Sequence, residues 1–448
     1  MMDKTTSSSP NHRVGFHYFP DTLHYRESDL QLWLPELRAL SASWVILVAP
    51  TDRAIPEHFI RGLIDASIEP VIHFPISLSE PPAVADLSLF FEQYARWGVR
   101  YVILFDRPNS RSSWTLSTWA QEDLVERFLD RFIPVAEWAV HAGLTPVFPP
   151  LEPGGNYWDT AFLRAALGAL LRRKQKELTE KLALAAYAWT GTHSLNWGGG
   201  GPERWPGARP YFTPGGEQDQ RGFRIVDWYL AVAHSVLGKT PSILLLGLGA
   251  LVDPQAPSIP EVDAIIHAQQ SLAIARLLAG ETVPDPENEE LTLEALPEQV
   301  IGGCFWLLAC SPEEPFAAQA WYLADGQCRP AVSVVRQWAA SHSEKPECAA
   351  PRSESKAKSR PIDHYLLLPM YEWGVADWHL DIIRPFVKKH QPTIGFSARE
   401  AQLAAKVTVI GGPEQISDDT LDQIRSAGCV VERISGDGIS IATILAER

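Results

Sequence analysis

Residues 101–150 read YVILFDRPNSRSSWTLSTWAQEDLVERFLDRFIPVAEWAVHAGLTPVFPP. Tyr101 to Phe105 is apolar throughout, as expected of a strand covered on both faces. Glu122 to Ala142 reads as a helix, and Thr145 to Pro149 as the next buried strand. A strand, a crossover helix and a second buried strand imply parallel pairing with helices outside the sheet.

The same unit repeats in both directions. Towards the N-terminus stand Val14 to Pro20 (strand), Asp29 to Ala42 (helix), Trp44 to Ala49 (strand) and Pro56 to Ser67 (helix), then Pro70 to Phe74 (strand) and Asp86 to Trp97 (helix). The helix at Asp29 carries Leu30, Trp33, Leu34, Leu37 and Leu40 at helical spacing. Towards the C-terminus stand a helix at Thr160 to Leu182, a strand at Ala183 to Trp189 and a helix at Phe223 to Gly238. A strand at Ser242 to Leu246, a helix at Val262 to Ala279, a strand at Val300 to Ala309 and a closing helix at Ala331 to Ser341 complete the series. Eight strand-helix units predict an α/β fold, a (β/α)8 TIM barrel over residues 14–342. An open doubly wound sheet would fit the alternation too, but no G-x-G-x-x-G follows the first strand.

Residues 343–361 (SEKPECAAPRSESKAKSRP) are polar and read as a linker. Beyond them, residues 362–448 predict a smaller three-layer α/β domain, with strands at 365–369, 393–396, 407–410 and 430–434 and helices at 377–390, 398–405 and 417–426. Residues 1–13 are polar and Ser-rich, and are expected to be disordered. They lack the apolar core of a signal peptide and no apolar stretch is long enough to span a membrane, so a cytoplasmic location is expected, with the cell envelope or the extracellular space as the alternative. Five cysteines form no disulfide framework. The net charge of −15 argues against nucleic acid as a partner.

In a barrel, function sits on the loops after the strands. Thr190 to Gly222 is long and holds Asn196-Trp197-Gly198-Gly199-Gly200-Gly201-Pro202 and Trp205-Pro206-Gly207. The glycines have no following Lys-Ser/Thr, so a phosphate cradle is not supported. His17, His73 and His193 fall near the mouth without the spacing of a metal site, and are expected to be hydrogen-bonding groups; no metal or other cofactor is implied. No G-x-S-x-G elbow offers a serine nucleophile.

Three stretches resemble the clan A glycoside hydrolases. Leu104-Phe105-Asp106-Arg107-Pro108-Asn109 ends strand four where that family has Asn-Glu-Pro, whose Glu is the acid/base. Pro241 to Gly249 looks like its strand seven, which ends in the nucleophile Glu. Gly302 to Trp306, with Trp321 to Gly326 and Arg329-Pro330-Ala331, is similar to its closing segment. The resemblance puts Arg107 at the acid/base position and Gly247 at the nucleophile position. Arginine stays protonated and glycine has no nucleophile, so the usual dyad is absent. Glu152, in Pro149 to Gly155, is the best carboxylate for chemistry, followed by Asp106; Asp52 and Asp253 read as loop caps.

The sixteen tryptophans are many for this length. Tyr157, Trp158, Trp189, Trp197, Trp205 and Trp306, with Tyr187 and Tyr211, lie at or after strand ends and would suit sugar faces. His17, Arg107, Asn109, Asn156 and Glu152 would supply hydroxyl-directed hydrogen bonds. Val407 to Gly412, Ile416-Ser417 and Val431 to Gly436 resemble the type-2 cell-wall-binding repeat, which anchors surface proteins to wall polymers; its usual Arg-Tyr after Ser-Gly-Asp is absent, and one repeat is present. The expectation is a protein that recognises carbohydrate, a cell-wall glycan or polysaccharide, on a hydrolase-like barrel without the Glu/Glu dyad. The alternatives are a glycoside hydrolase using Glu152 and Asp106, and a non-catalytic intracellular scaffold.

Overall fold

Eight parallel strands close on themselves in the order β1-β10-β7-β6-β5-β4-β3-β2. They are β1 (Val14–His17), β2 (Trp44–Val48), β3 (Glu69–Phe74), β4 (Tyr101–Leu104), β5 (Thr145–Phe148), β6 (Ala183–Trp189), β7 (Ile243–Gly249) and, after a hairpin of β8 (Val283–Asp285) and β9 (Asn288–Leu293), β10 (Val300–Phe305). This is the (β/α)8 barrel expected from the alternation. The computed structural model describes residues 12–81, 84–250, 264–286, 288–323, 326–343, 362–369, 377–390 and 392–446. Asp253, residues 1–11, Ala324 and Asp325, and the linker beyond residue 343 lie outside the described residues. Among those described, no helix is long and apolar enough to cross a membrane.

Inside the barrel, Trp44, Ile46, Val71, Ile103, Val147, Ala183, Ala185, Leu244, Leu246 and Cys304 fill the core. Trp44 occupies the floor because Gly302 leaves room for it; a Cβ there would meet the indole at 2.7 Å. A larger cluster, with Phe16, Phe74, Phe105, Phe128, Phe132 and Phe162, packs between strands and helices.

Several boundaries differ from the sequence reading. The helix expected over 160–182 divides into Asp159–Arg172 and Lys176–Lys181, separated at Lys174, whose φ of 56° is left-handed. The β8/β9 hairpin is an addition to the sequence reading, since its acidic, proline-rich stretch hides two short strands.

At the floor, the Arg13 guanidinium donates to Leu278 O (2.7 Å), Pro297 O (3.1 Å) and Val300 O (3.2 Å). Beside it, Glu281 accepts from Arg276 Nε (2.7 Å) and Trp338 Nε1 (3.1 Å) and lies 3.1 Å from His342 Nε2, while the His12 ring packs on Trp338. The helix Pro330–Ser343 therefore ends where the chain enters the barrel.

The chain divides into two compact units, Met1–Pro346 and Glu347–Arg448. The second holds a parallel sheet in the order β12-β11-β13-β14, built from β11 (Ile362–Leu367), β12 (Thr393–Gly395), β13 (Ala404–Ile410) and β14 (Val430–Ile434). Tyr365, Leu367, Val407 and Val409 pack against Leu421 and Ile424 on one face. Leu366, Leu368 and Ile410 pack against Ile383, Phe386, Ile441 and Leu445 on the other, which makes three layers. The helix Gly438–Ala446 is an addition to the sequence reading: its β-branched run looks strand-like, and burial of Ile441 and Leu445, four apart, makes it helical.

Candidate functional site

Side chains alternate in and out along a strand, so Tyr101 and Ile103 of β4 point into the barrel and residue 105 should follow. Phe105 has a left-handed φ of 67° instead, and its ring joins the outer layer 5.7 Å from Phe128. The reversal turns Asp106 into the mouth, where it accepts a hydrogen bond from Tyr187 Oη at 2.8 Å. Arg107 is left-handed as well (φ 45°), and its N–H donates to Pro150 O at 3.0 Å. Two strained non-glycine residues, one on each side of one carboxylate, mark a place where side-chain direction outweighs backbone comfort.

Arg107 is the hub. Its guanidinium lies over the Tyr187 ring at 4.5 Å, with Nε 2.9 Å from Glu152 Oε2 and Nη1 3.9 Å from Asp106 Oδ2. The Nε–H does not point along its short separation, so that contact is an ion pair and not an aligned hydrogen bond. Burial opposes the Arg107 charge, but Tyr187, Asp106 and Glu152 outweigh it and hold the cation above its ordinary value. Glu152 moves upward, through loss of water, against the pull of Arg107 and with the push of Asp106. The sequence-predicted Asp106, Arg107 and Glu152 are thus brought together, and Tyr187 is the fourth member.

Across the mouth, β7 carries one residue too many. Tyr187 and Trp189 of β6 pair with Leu246 and Gly249, and Gly303 and Phe305 of β10 pair with Leu245 and Leu248. Gly247, at φ 58°, supplies the extra residue of this bulge. Its N–H leaves the ladder and is accepted by His17 Nε2 at 3.3 Å. Burial, helped by His73 and Arg107, pushes His17 down to about 3, so the ring is neutral and free to accept. Trp189 lies directly on Gly247, where an added Cβ would fall 2.4 Å from its ring. Trp189 stacks with Tyr187 (6.0 Å, 15°) and meets Trp306 edge-on (5.9 Å, 75°). Trp306 is steadied by a hydrogen bond from Nε1 to Gln319 Oε1 (2.8 Å).

Other predicted residues serve elsewhere. His17 is buried as the acceptor just described, and His73 as the partner of Phe105 O at 3.0 Å. Asn109, fully buried, clamps the β5 loop: its amide donates to Glu152 O and Tyr157 O (2.9 Å each) and its oxygen accepts from Glu152 N (2.8 Å). It has no free edge for a ligand. Trp158 is buried against Tyr211, and Tyr157 packs on Phe162. Trp197 stacks on His193 and donates to Asp219 Oδ1 (3.3 Å), and Trp205 donates to Gly199 O (3.0 Å), so both indoles pin their own loop. Asp52 is exposed beside Arg53 (3.5 Å). The four glycines pack closely: a Cβ on Gly198 would lie 2.2 Å from Asp219 O, and Gly200 N–H is capped by Asp227 Oδ2 (2.9 Å).

Sequence reasoning missed Asp159 and Asp219, the two buried carboxylates that hold the long loop. Asp159 accepts from Gly154 N (3.0 Å), Gln220 Nε2 (2.6 Å) and Tyr229 Oη (3.1 Å), and meets no cation among these partners. Burial raises it to about 6, against the pull of those hydrogen bonds. A raised carboxyl favours the folded state while protonated in it. That contribution is complete below about 4 and is lost as pH climbs through about 6. The share of barrel stability that Asp159 supplies should therefore fall by about 2–3 kcal/mol over that interval. Asp159→Asn should flatten the fall, as read by urea unfolding at pH 4 and pH 7; an unchanged slope would remove Asp159 as its cause.

No protein-family model and no curated protein matches the chain. Solved structures do resemble it. A family 39 glycoside hydrolase from Bacteroides cellulosilyticus WH2 is 11% identical over 73% of this chain and 64% of its own, with a TM-score of 0.47. The chain thus spans a little under two thirds of that enzyme's length. A family 39 beta-xylosidase from Caulobacter crescentus is 11% identical over 73% of this chain and 70% of its own (TM-score 0.43). Xylanase 10B from Thermotoga petrophila RKU-1, solved with xylobiose, is 9% identical over 76% and 100% (TM-score 0.43).

Proposed function

We propose that the barrel mouth binds carbohydrate, a cell-wall glycan or related polysaccharide, and does not cleave it by the paired-carboxylate route. The observation that carries this reading is Arg107, set between Asp106 and Glu152 and stacked on Tyr187. A cation that never gives up its proton ties down both acids, whereas glycoside hydrolysis needs one to donate and the other to attack or activate water. The position read as the nucleophile's is Gly247, and Trp189 covers it. Trp189 and Trp306, half-buried and set nearly at right angles, offer apolar walls to a sugar ring, while Asp106, Arg107 and Glu152 offer charged partners to its hydroxyls. The cell-wall class is supported by the likeness of residues 407–436 to the wall-binding repeat.

Calorimetric titration with soluble wall fragments and polysaccharides tests the proposal. Binding to at least one is expected, weakened tenfold or more in Trp189→Ala and Trp306→Ala, a loss of about 1.4 kcal/mol or more, with no reducing ends released. Reducing ends that disappear in Glu152→Gln would replace this reading with the hydrolase one, which the raised Glu152 carboxyl favours. Absence of both binding and cleavage would leave the scaffold.

A further inference from the structure

A second cluster stands on the loops after β1 and β10 and shares no residue with the Arg107 site. His24 Nδ1 lies 2.9 Å from Asp21 Oδ1, and His24 Nε2 lies 3.4 Å from Ser311 Oγ. Asp21 is fixed by its own turn, since the same Oδ1 accepts from Leu23 N at 2.8 Å. The imidazole is fixed by stacking on Phe19, at 3.9 Å and 15°. The Asp21 side chain is 14% exposed and that of His24 29%, with Ser311 partly exposed beyond them. The acid is thus more buried than the ring it holds, and all three side chains keep some access to solvent.

From this geometry we infer that Asp21, His24 and Ser311 form a nucleophilic site for acyl esters. An Nδ1–H held by Asp21 leaves the Nε2 lone pair facing the Ser311 hydroxyl. Ser311 Oγ attacks the ester carbonyl carbon while its proton passes to Nε2. The carbonyl π pair moves onto oxygen and returns as the bond to the leaving oxygen breaks. His24 hands its proton to that oxygen, and an alcohol departs. Water repeats the sequence on the acyl-Ser311 ester, releasing a carboxylic acid and restoring the hydroxyl. The separation of 3.4 Å between hydroxyl and base is long, as is common before substrate closes such a site. The neighbouring thiol is no rival: burial, with Glu314 and Asp21 nearby, pushes Cys310 up to about 11.

The test is covalent capture. The full chain is incubated with diisopropyl fluorophosphate, its intact mass is followed and the labelled peptide is sequenced. One adduct at Ser311 is expected, absent in Ser311→Ala and slowed 100-fold or more in His24→Gln. Asp21, which positions the ring, should slow capture in Asp21→Asn without changing its stoichiometry. Release of 4-nitrophenol from 4-nitrophenyl acetate should fall to the uncatalysed rate in Ser311→Ala, whose glycan binding should be unaltered. No adduct at Ser311, or equal capture rates in the parent and His24→Gln, overturns the inference. The adduct map of the unaltered chain decides the matter even where a variant folds poorly.

Discussion

Gly247→Ala is expected to lower the stability of the barrel by about 3 kcal/mol, and Gly247→Glu by more, with no hydrolase activity gained. The estimate joins about 1–3 kcal/mol for overpacking to about 1–2 kcal/mol for placing a side chain at a left-handed residue. A Cβ would sit 2.4–2.7 Å from three atoms of the Trp189 ring, and the φ of 58° adds its own strain. Urea unfolding followed by tryptophan fluorescence would measure it. Adding Trp189→Ala should return the steric share and leave the backbone share, so the double variant should be more stable than the sum of the two losses by 1 kcal/mol or more. A Gly247→Ala protein within about 0.5 kcal/mol of the parent would mean that the indole does not cover the bulge. A larger side chain at this position therefore requires β6 to be rebuilt around Trp189.

Asp219→Ala should be comparably severe, but local. The buried carboxylate gathers Thr213 Oγ1 (2.8 Å), Trp197 Nε1 (3.3 Å) and Arg221, both its backbone N–H (3.0 Å) and its side-chain Nε (3.0 Å). Removing it strands several donors at once, for a loss of about 2–4 kcal/mol. Arg221 is half exposed and can turn to water, so its charge adds little to that figure. Burial opposes the Asp219 charge, but Arg221 and the other donors bring it down to about 2. Its contribution is therefore present above about 4 and fades as pH falls towards about 2, opposite in sign to Asp159. Limited proteolysis at neutral pH should cut Asp219→Ala within residues 190–222 while the barrel stays intact. Equal resistance of variant and parent would show that the loop is held by other means.

The barrel was legible because two-sided burial makes each strand a continuous apolar run, and the helices between them fix the pairing as parallel. The meeting of Asp106, Arg107 and Glu152 was legible as well, since all three follow strand ends. The direction of side chains was not. Nothing in Phe105 announces a left-handed backbone, yet that one torsion decides that Asp106 meets Tyr187. The indoles of Trp197 and Trp205 look like sugar platforms in sequence, but unpaired N–H groups of a long loop need acceptors and found them inside it. Asn109 went the same way, because the backbone of the β5 loop needed its amide. Asp21, His24 and Ser311 carry no local motif at all: the hydroxyl and the base stand 287 residues apart, and only barrel closure brings the first and last mouth loops together.

Arg13 and the Glu281 group have a bearing on how the barrel is carried. The incoming strand and the outgoing helix are fastened together, so positions 12 and 343 both lie at the pole opposite the mouth. A tag or surface joined at His12 would start from the blind side, leaving the rim clear at the point of attachment.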